Sequence, residues 1–230
     1  MLGVTSTYSL GAVRRARYAA ELGADGIQAA LPFWMAMADG DVVEFFSAVS
    51  DAAPGLALSV YDTARAKRPL TRDQHRAISE AIGQYVMLKA TGGTLGYTPD
   101  GCAALSEFVN VFVSEIAWAG LGPCGAKGAC SALIYMNPRM VLAAFRCLER
   151  RDWRGLAART DPLKRLVRDG LKPYVERGCT DTSLDRLMGV ATGFLTMSLR
   201  SRGTYPDTTA ADAARLTAWM RDHTPELLEL

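Results

Sequence analysis

Lys89 carries the clearest chemical signal in this 230-residue sequence. It follows the short apolar run 85–88 and is followed at once by a glycine-containing segment at residues 90–93. This pattern predicts a buried β-strand that delivers one amine to a turn. Because burial favours the uncharged form of an amine, such a lysine can attack a carbonyl carbon and form a Schiff base. The alternative is a lysine that merely ends the strand, with its amine in water.

Tyr61 is the residue best placed to work with Lys89. It ends a second apolar run, residues 56–61, and about one βαβ unit separates it from Lys89. Two strands spaced in this way are predicted to be neighbours, with both side chains at their carboxyl ends. A phenol close to a Schiff-base carbon can transfer a proton during imine formation or carbon–carbon cleavage.

The elements that must position these two residues alternate between short apolar strands and amphipathic helices. The predicted strands cover residues 26–31, 56–61, 86–89, 109–114 and, more weakly, 129–134. The predicted helices cover residues 9–22, 41–53, 71–82 and 138–149. This alternation indicates parallel βαβ units, and the short βα loops fit a barrel at least as well as an open sheet. In a barrel the chemistry lies at the carboxyl ends of the strands.

From residue 152 onward the strand pattern is absent. Three helical segments are predicted instead, at residues 154–176, 182–201 and 208–222. We therefore divide the chain into a partial barrel, residues 1–152, and a helical C-terminal extension of the same domain, residues 153–230.

Composition and charge argue against several classes of protein. A hydrophobic fraction of 49% and a charged fraction of 22% are ordinary for a soluble globular protein. A net charge of +2 gives no large field to attract nucleic acid or an anionic membrane. The apolar runs are too short to span a bilayer, and no signal-peptide pattern opens the sequence, so a cytoplasmic protein is expected.

Metal and nucleotide chemistry find little support in the sequence. The five cysteines include no C-x-x-C pair, and the two histidines, His75 and His223, are predicted to lie in polar helical surroundings. These features argue against a disulfide framework, a zinc site and a catalytic triad. No phosphate-binding loop is present, and the glycines at 122–128 precede a predicted strand, which argues against a dinucleotide-dependent enzyme.

Five short motifs occur in a fixed order along the first 155 residues. They are ELGADG at 21–26, LPFW at 31–34, VYD at 60–62, LKATG at 88–92 and GAKGACS at 125–131. Together they resemble the motifs of the dihydrodipicolinate synthase and N-acetylneuraminate lyase superfamily. Members of that superfamily are pyruvate-dependent class I aldolases built on a TIM (β/α)8-type barrel. Trp34 makes the chain more similar to the hydratase-aldolase branch than to the synthase branch.

The resemblance implies a role for each candidate site residue. Lys89 would form the imine with a 2-oxo acid such as pyruvate, and Tyr61 would transfer protons. Thr91 and the backbone near Cys130 would line the pocket, while Trp34 would shape the side that receives the aldehyde.

The resemblance also bears on what the protein binds. Arg65 or Arg68 is a candidate partner for a substrate carboxylate. No metal or organic cofactor is required, because the lysine imine is itself the electron sink. A homo-oligomer is expected.

The chain departs from the superfamily at three places. It begins where the third strand of the family is under way, so we expect an N-terminally truncated barrel of about six βα units without the usual carboxylate-binding segment. Trp34 replaces a tyrosine of the synthases, and Ala66 takes the place of an arginine.

Two functions therefore stay open. The leading prediction is a Schiff-base-forming lyase that catalyses aldol condensation or retro-aldol cleavage. The alternative is a catalytically impaired barrel remnant, either a pseudoenzyme or a truncated gene product, with a structural or partner-pairing role.

Overall fold

The computed structural model describes residues 1–201 and 203–230 of the chain. The strands within these residues are β1 (Leu2–Gly3), β2 (Gly26–Ala29), β3 (Ala57–Asp62), β4 (Tyr85–Ala90) and β5 (Asn110–Phe112). The α-helices are α1 (Ser9–Glu21), α2 (Val42–Asp51), α3 (Arg72–Ala81), α4 (Pro99–Ser106), α5 (Trp118–Leu121), α6 (Pro138–Glu149), α7 (Trp153–Arg165), α8 (Lys172–Glu176), α9 (Asp181–Ala191) and α10 (Ala210–His223).

The strands form one parallel sheet in which each strand pairs with the next one along the chain. Helices α1 to α4 provide the four connections between them. This consecutive order is that of a (β/α) barrel, because an open doubly wound sheet reverses its strand order at a switch point. The predicted parallel βαβ organisation is confirmed.

Alternation along the strands separates the core residues from the site residues. Ile27, Leu58 and Leu88 are completely buried in the layer between the sheet and its helices. Since successive side chains in a strand point to opposite faces, Gln28 and Lys89 point to the other face, which is the interior of the barrel.

Capping signals in the sequence set the helix ends near the site. The Thr71 hydroxyl accepts a hydrogen bond from the Gln74 amide (3.2 Å), and the Gln74 side chain accepts one from the Thr71 amide (3.0 Å). This reciprocal arrangement is a capping box, and it starts α3 where the sequence predicted. Helix α6 likewise begins at Pro138 behind an Asn137 cap.

The prediction of a strand at residues 129–134 is wrong. Gly128 alone makes an isolated parallel bridge to Phe112, at the position of a sixth strand. The chain then turns, because the buried Glu115 carboxylate accepts hydrogen bonds from the Ser131 hydroxyl and from the Leu133 amide. A 3₁₀ turn, Leu133–Tyr135, follows.

The described residues form two compact units. Residues 1–113 and 120–130 make up the first, which contains the whole sheet, and residues 114–119 and 131–230 make up the second. Helix α6 packs against α7 within the second unit. The division at residue 152 stays a prediction. In residues 1–201 and 203–230, no helix is long and apolar enough to cross a membrane.

Two of the predicted C-terminal helices are shorter than expected. The predicted helix 154–176 is interrupted by a π-helical turn, Leu166–Gly170, shortly after Pro162. This turn is closed by a hydrogen bond from the Leu171 amide to the Leu166 carbonyl at 2.9 Å, which is the i to i+5 spacing of a π-helix. The predicted helix 182–201 ends at Ala191, because Gly193 adopts a positive φ of 78° that stops an α-helix.

Candidate active site

Tyr61 and Lys89 lie side by side at the carboxyl end of the sheet. They are register partners on β3 and β4, and each is the penultimate residue of its strand. The Lys89 Nζ lies 4.0 Å from the centroid of the Tyr61 ring, and both residues are half-buried. The structure thus brings together the two residues that the sequence paired.

A polar layer lies directly below this pair inside the barrel. Gln28 is the register partner of Ser59, and its Nε2 donates a hydrogen bond to the Ser59 Oγ (3.0 Å). The same Nε2 lies 3.7 Å from the Cys130 Sγ. Because Ser59 precedes Tyr61 by two residues on β3, its side chain points to the same face of the sheet, one residue pair further from the carboxyl end.

Cys130 therefore reaches the barrel interior although no strand carries it there. Gln28 was missed by the sequence analysis. Its signal was an amide side chain in the middle of a buried strand, because a buried amide needs a partner.

Thr91 connects the ends of the two site strands. Its Oγ1 donates a hydrogen bond to the carbonyl oxygen of Asp62 at 3.1 Å. Asp62 directly follows Tyr61, and Thr91 lies two residues after Lys89. The hydroxyl thereby connects the backbones of β3 and β4 just after the Tyr61–Lys89 pair.

A cavity of about 320 Å³ opens beside Tyr61, at the carboxyl ends of β2 and β3. Its lining consists of Thr5, Ala30, Leu31, Phe33, Tyr61, Thr63, Arg65 and Ala66. The lining is mostly apolar, with hydroxyl groups and one guanidinium added. Trp34 is not part of this lining: it is 78% exposed, and its neighbour Phe33 contacts the cavity instead.

The two candidate arginines have different surroundings. Arg65 lines the cavity. Arg68 donates hydrogen bonds to the Met37 carbonyl (3.1 Å) and to the Gln74 side chain (2.9 Å), and it forms an ion pair with Asp39. The Arg68 guanidinium holds the pKa of the Asp39 carboxyl below its usual range. Arg68 thus fixes the loop after β2, and Arg65 is the one of the two that lines the cavity.

His75 was predicted to lie in polar helical surroundings, and this prediction is wrong. Its side chain is completely buried between α3 and the sheet. The His75 Nδ1 lies 2.9 Å from the Tyr85 hydroxyl, and the Nε2 lies 3.5 Å from the Asp62 Oδ2. Burial, helped by the nearby Asp62 carboxylate, raises the pKa of Tyr85 well above its usual value, so the phenol stays protonated.

Among residues 1–201 and 203–230, no group of three or more histidine, cysteine, aspartate or glutamate side chains is arranged to hold a metal ion. The cavity is lined by a phenol, hydroxyls and a guanidinium, and the Lys89 amine lies beside the Tyr61 ring. These groups suit covalent catalysis on a carbonyl compound that carries a negative charge.

Comparison with proteins of known sequence gives one informative relative. No family model matches the chain. The trans-2'-carboxybenzalpyruvate hydratase-aldolase of Nocardioides sp. (strain KP7) is 31% identical over 124 residues, which is 46% of this chain. The match spans 37% of the length of that relative.

Solved structures show the fold. PhdJ bound to a substrate intermediate superposes with a TM-score of 0.77 at 23% identity, over 96% of this chain and 72% of that one. YagE, a prophage protein of the dihydrodipicolinic acid synthase family from E. coli K12 in complex with pyruvate, gives 0.79 at 16% identity, over 96% and 74%. A catalytic lysine mutant of Ruminococcus gnavus sialic acid aldolase gives 0.81 at 13% identity, over 98% and 74%. The predicted resemblance to this superfamily and the TIM-barrel-type fold are confirmed.

Proposed function

We propose that the chain is a Schiff-base-forming lyase of the class I aldolase type that acts on pyruvate or a related 2-oxo acid. The observation that carries this proposal is the contact between the Lys89 Nζ and the Tyr61 ring at the carboxyl ends of two adjacent parallel strands. Two of the structural relatives support it, because one holds pyruvate and another is described by its catalytic lysine.

The chemistry starts when the Lys89 ammonium loses a proton to water and the resulting amine attacks the C2 carbonyl of the 2-oxo acid. The carbinolamine that forms loses its hydroxyl as water, and an iminium remains. The iminium withdraws electrons from C3, so that either a C3–H bond or the C3–C4 bond can break. In both cases the electrons of the broken bond stay on the lysine-bound fragment as an enamine, and in the second case C4 leaves as a carbonyl group. Tyr61 donates the proton that allows the hydroxyl to leave, and it accepts the proton of the C4 hydroxyl during cleavage.

The resting contact between the amine and the ring is compatible with this step. A lysine over a partly exposed aromatic ring gains about 0.5–1 kcal/mol from the cation–π interaction. This energy is small compared with the gain from placing the nucleophile beside its substrate. The amine can therefore leave the ring face when the carbonyl arrives.

Borohydride trapping tests the proposal directly. Incubation of the protein with pyruvate and borohydride, followed by intact mass and peptide mapping, is expected to give one reduced pyruvyl adduct on Lys89. The exposed Lys127 in the motif at 125–131 provides an internal control for non-specific reduction. A folded protein without an adduct, or with equal labelling of the two lysines, would contradict the imine chemistry.

Tyr61→Phe is expected to lower kcat by about 10²- to 10⁴-fold, because the ring remains while the proton donor is lost. The trapped adduct on Lys89 should still form, although more slowly. Steady-state release of pyruvate from an aldol, measured with a coupled dehydrogenase, checks the first expectation. Unchanged turnover in this variant would remove Tyr61 from the mechanism.

The cavity suggests the nature of the aldehyde. Its apolar wall fits an aromatic or similarly apolar aldehyde, and the Arg65 guanidinium in its lining is a group that binds carboxylates well. The Nocardioides relative is named for a substrate that combines both features. We infer that this chain accepts an aromatic aldehyde with a carboxylate substituent.

Arg65→Gln is expected to raise the KM for 2-carboxybenzaldehyde about tenfold, since a hydrogen bond to a charged group is worth about 1.5–3 kcal/mol. The KM for unsubstituted benzaldehyde should not change. Initial rates of condensation with pyruvate measure both constants. An equal change in KM for the two aldehydes would show that Arg65 does not bind the carboxylate of the substrate.

The comparisons give no support to the alternative of an impaired barrel remnant with a structural role. A homo-oligomer and a cytoplasmic location remain part of the proposal. Sedimentation velocity of the purified chain tests the first of these.

A further inference from the structure

A buried chain of three titratable side chains lies behind the Tyr61–Lys89 pair, on the outer face of the sheet. Asp62, His75 and Tyr85 are 2%, 0% and 4% exposed. They come from the end of β3, from α3 and from the start of β4. The proposed reaction uses none of them, yet three buried polar groups together are costly unless they bind one another.

The hydrogen bonds among Asp62, His75 and Tyr85 fit one arrangement of protons. The Asp62 Oδ1 accepts from the Leu70 amide at 3.1 Å, and the Oδ2 faces the His75 Nε2 at 3.5 Å. A carboxylate can only accept, so the His75 proton lies on Nε2. The Nδ1 is then an acceptor for the Tyr85 hydroxyl at 2.9 Å. Each member of the chain is satisfied without a proton on the carboxylate.

Asp62 links this buried chain to the site. Its side chain and that of Tyr61 point to opposite faces of β3, so the outer carboxylate anchors the backbone that carries the phenol. The Asp62 carbonyl also accepts the hydrogen bond from the Thr91 Oγ1, just beyond Lys89. The end of β3 is thus held from α3 by the side chain of Asp62 and from β4 by its main chain.

We propose that Asp62, His75 and Tyr85 form a positioning network that fixes the Tyr61 phenol relative to Lys89. This role rests on the proposed Schiff-base function. A buried ionic network is seldom the most stable solution, since apolar residues of similar size often do as well or better. The geometry indicates that these three residues fix the position of the backbone at the end of β3.

Asp62→Asn tests the network with little change of shape. The asparagine oxygen can still accept from Leu70, but its amide then presents an N–H group to the His75 Nε2. The histidine must move its proton to Nδ1, and the Tyr85 hydroxyl loses its acceptor. We expect kcat to fall by about tenfold to a hundredfold, as small misplacements of a reacting group do. The KM for pyruvate should stay within about twofold, because no substrate contact is removed.

Three further measurements separate positioning from a loss of folding. Nitrogen-15 NMR of the imidazole is expected to show an Nε2–H tautomer in the wild type and an Nδ1–H tautomer in Asp62→Asn, with His223→Gln used to assign the signals. Tyr85→Phe, which removes a single oxygen, should lower kcat in the same direction by a smaller factor. Asp73→Asn, an exposed carboxylate on the same helix as His75, should leave all these values unchanged.

The outcomes distinguish this role from the function on which it rests. A wild-type adduct on Lys89 together with unchanged kcat in both Asp62→Asn and Tyr85→Phe would overturn the positioning role alone. An absent wild-type adduct would overturn both. If Asp62→Asn does not fold, the kcat of Tyr85→Phe decides, and a wild-type value there overturns the proposal.

Discussion

Lys89→Met is expected to abolish turnover, with kcat/KM lower by about 10⁴-fold or more, because loss of a covalent nucleophile removes a whole reaction route. Methionine keeps an unbranched chain of similar length, so the contact with the Tyr61 ring can persist and the fold should be retained. The measurement is release of pyruvate from an aldol substrate, together with the disappearance of the borohydride-trapped adduct.

Two controls make the result specific to the amine. Lys89→Arg keeps the positive charge near the Tyr61 ring but cannot form an imine under these conditions. It should therefore be as inactive as the methionine variant if Lys89 acts covalently, and partly active if Lys89 acts only through its charge. Lys127→Met makes the same substitution at an exposed site and should retain full activity. Turnover in Lys89→Met above one per cent of the wild type would contradict the covalent role.

The Tyr61–Lys89 pair could be predicted because both of its determinants are local. The apolar runs that end at these residues indicate strands, and one βαβ step makes those strands neighbours. The exact register was not predictable in this way, because Leu58 pairs with Tyr85 whereas Ser59 pairs with Met87, so that β4 has one extra residue, Val86, at this point. This irregularity aligns Tyr61 with Lys89.

The positions of Trp34 and Cys130 could not be predicted from the sequence. An apolar residue after a strand can face a cavity or solvent, and the turn geometry selects Phe33 for the cavity while Trp34 is exposed. Cys130 approaches Gln28 although the strand predicted at 129–134 does not form. Hydrogen bonds to the buried Glu115 determine the turn at residues 131–133. The pattern of apolar residues, from which the strand was predicted, contains no information about these hydrogen bonds.

His75 is different, because a signal existed. The polar composition of α3 suggested an exposed helix, but His75 and Ile78 are its two completely buried side chains. Their i, i+3 spacing is that of a buried helical stripe, and Ile82 continues it. What the sequence could not supply was the pair of partners, since Asp62 and Tyr85 come from two other elements that meet only in the folded chain.

Asp212→Asn is expected to give the largest loss of stability among these substitutions. The completely buried Asp212 carboxylate accepts hydrogen bonds from Arg177 at both oxygens (3.0 Å each) and from the amide and hydroxyl of Thr209 (2.8 Å each), and it also pairs with Arg215. Removing one partner of a buried pair typically costs about 3–5 kcal/mol. Because Arg177 and Arg215 keep contact with water, we expect a loss of about 2 kcal/mol in the free energy of unfolding. Urea denaturation followed by circular dichroism measures it.

The same carboxylate predicts how stability depends on pH. Hydrogen bonding from Arg177, followed by that from Thr209, holds the pKa of Asp212 far below its usual range, although burial opposes this. A lowered pKa in the folded state means that the stabilisation is complete above about pH 4, the usual value for an unfolded aspartate, and is lost as the pH falls further. The wild type should thus lose stability more steeply than Asp212→Asn between pH 5 and pH 2, the range about that unfolded value.

Asp169 provides the matched control, since it too pairs with an arginine, Arg168, and its pKa is also lowered by that hydrogen bond. Arg168 and Asp169 are both exposed, so water can replace the pair. Asp169→Asn should change the urea midpoint and its pH dependence much less than Asp212→Asn does. If the two variants behaved alike, burial would not be what makes the Asp212 pair stabilising, and the second compact unit would depend on its apolar contacts instead.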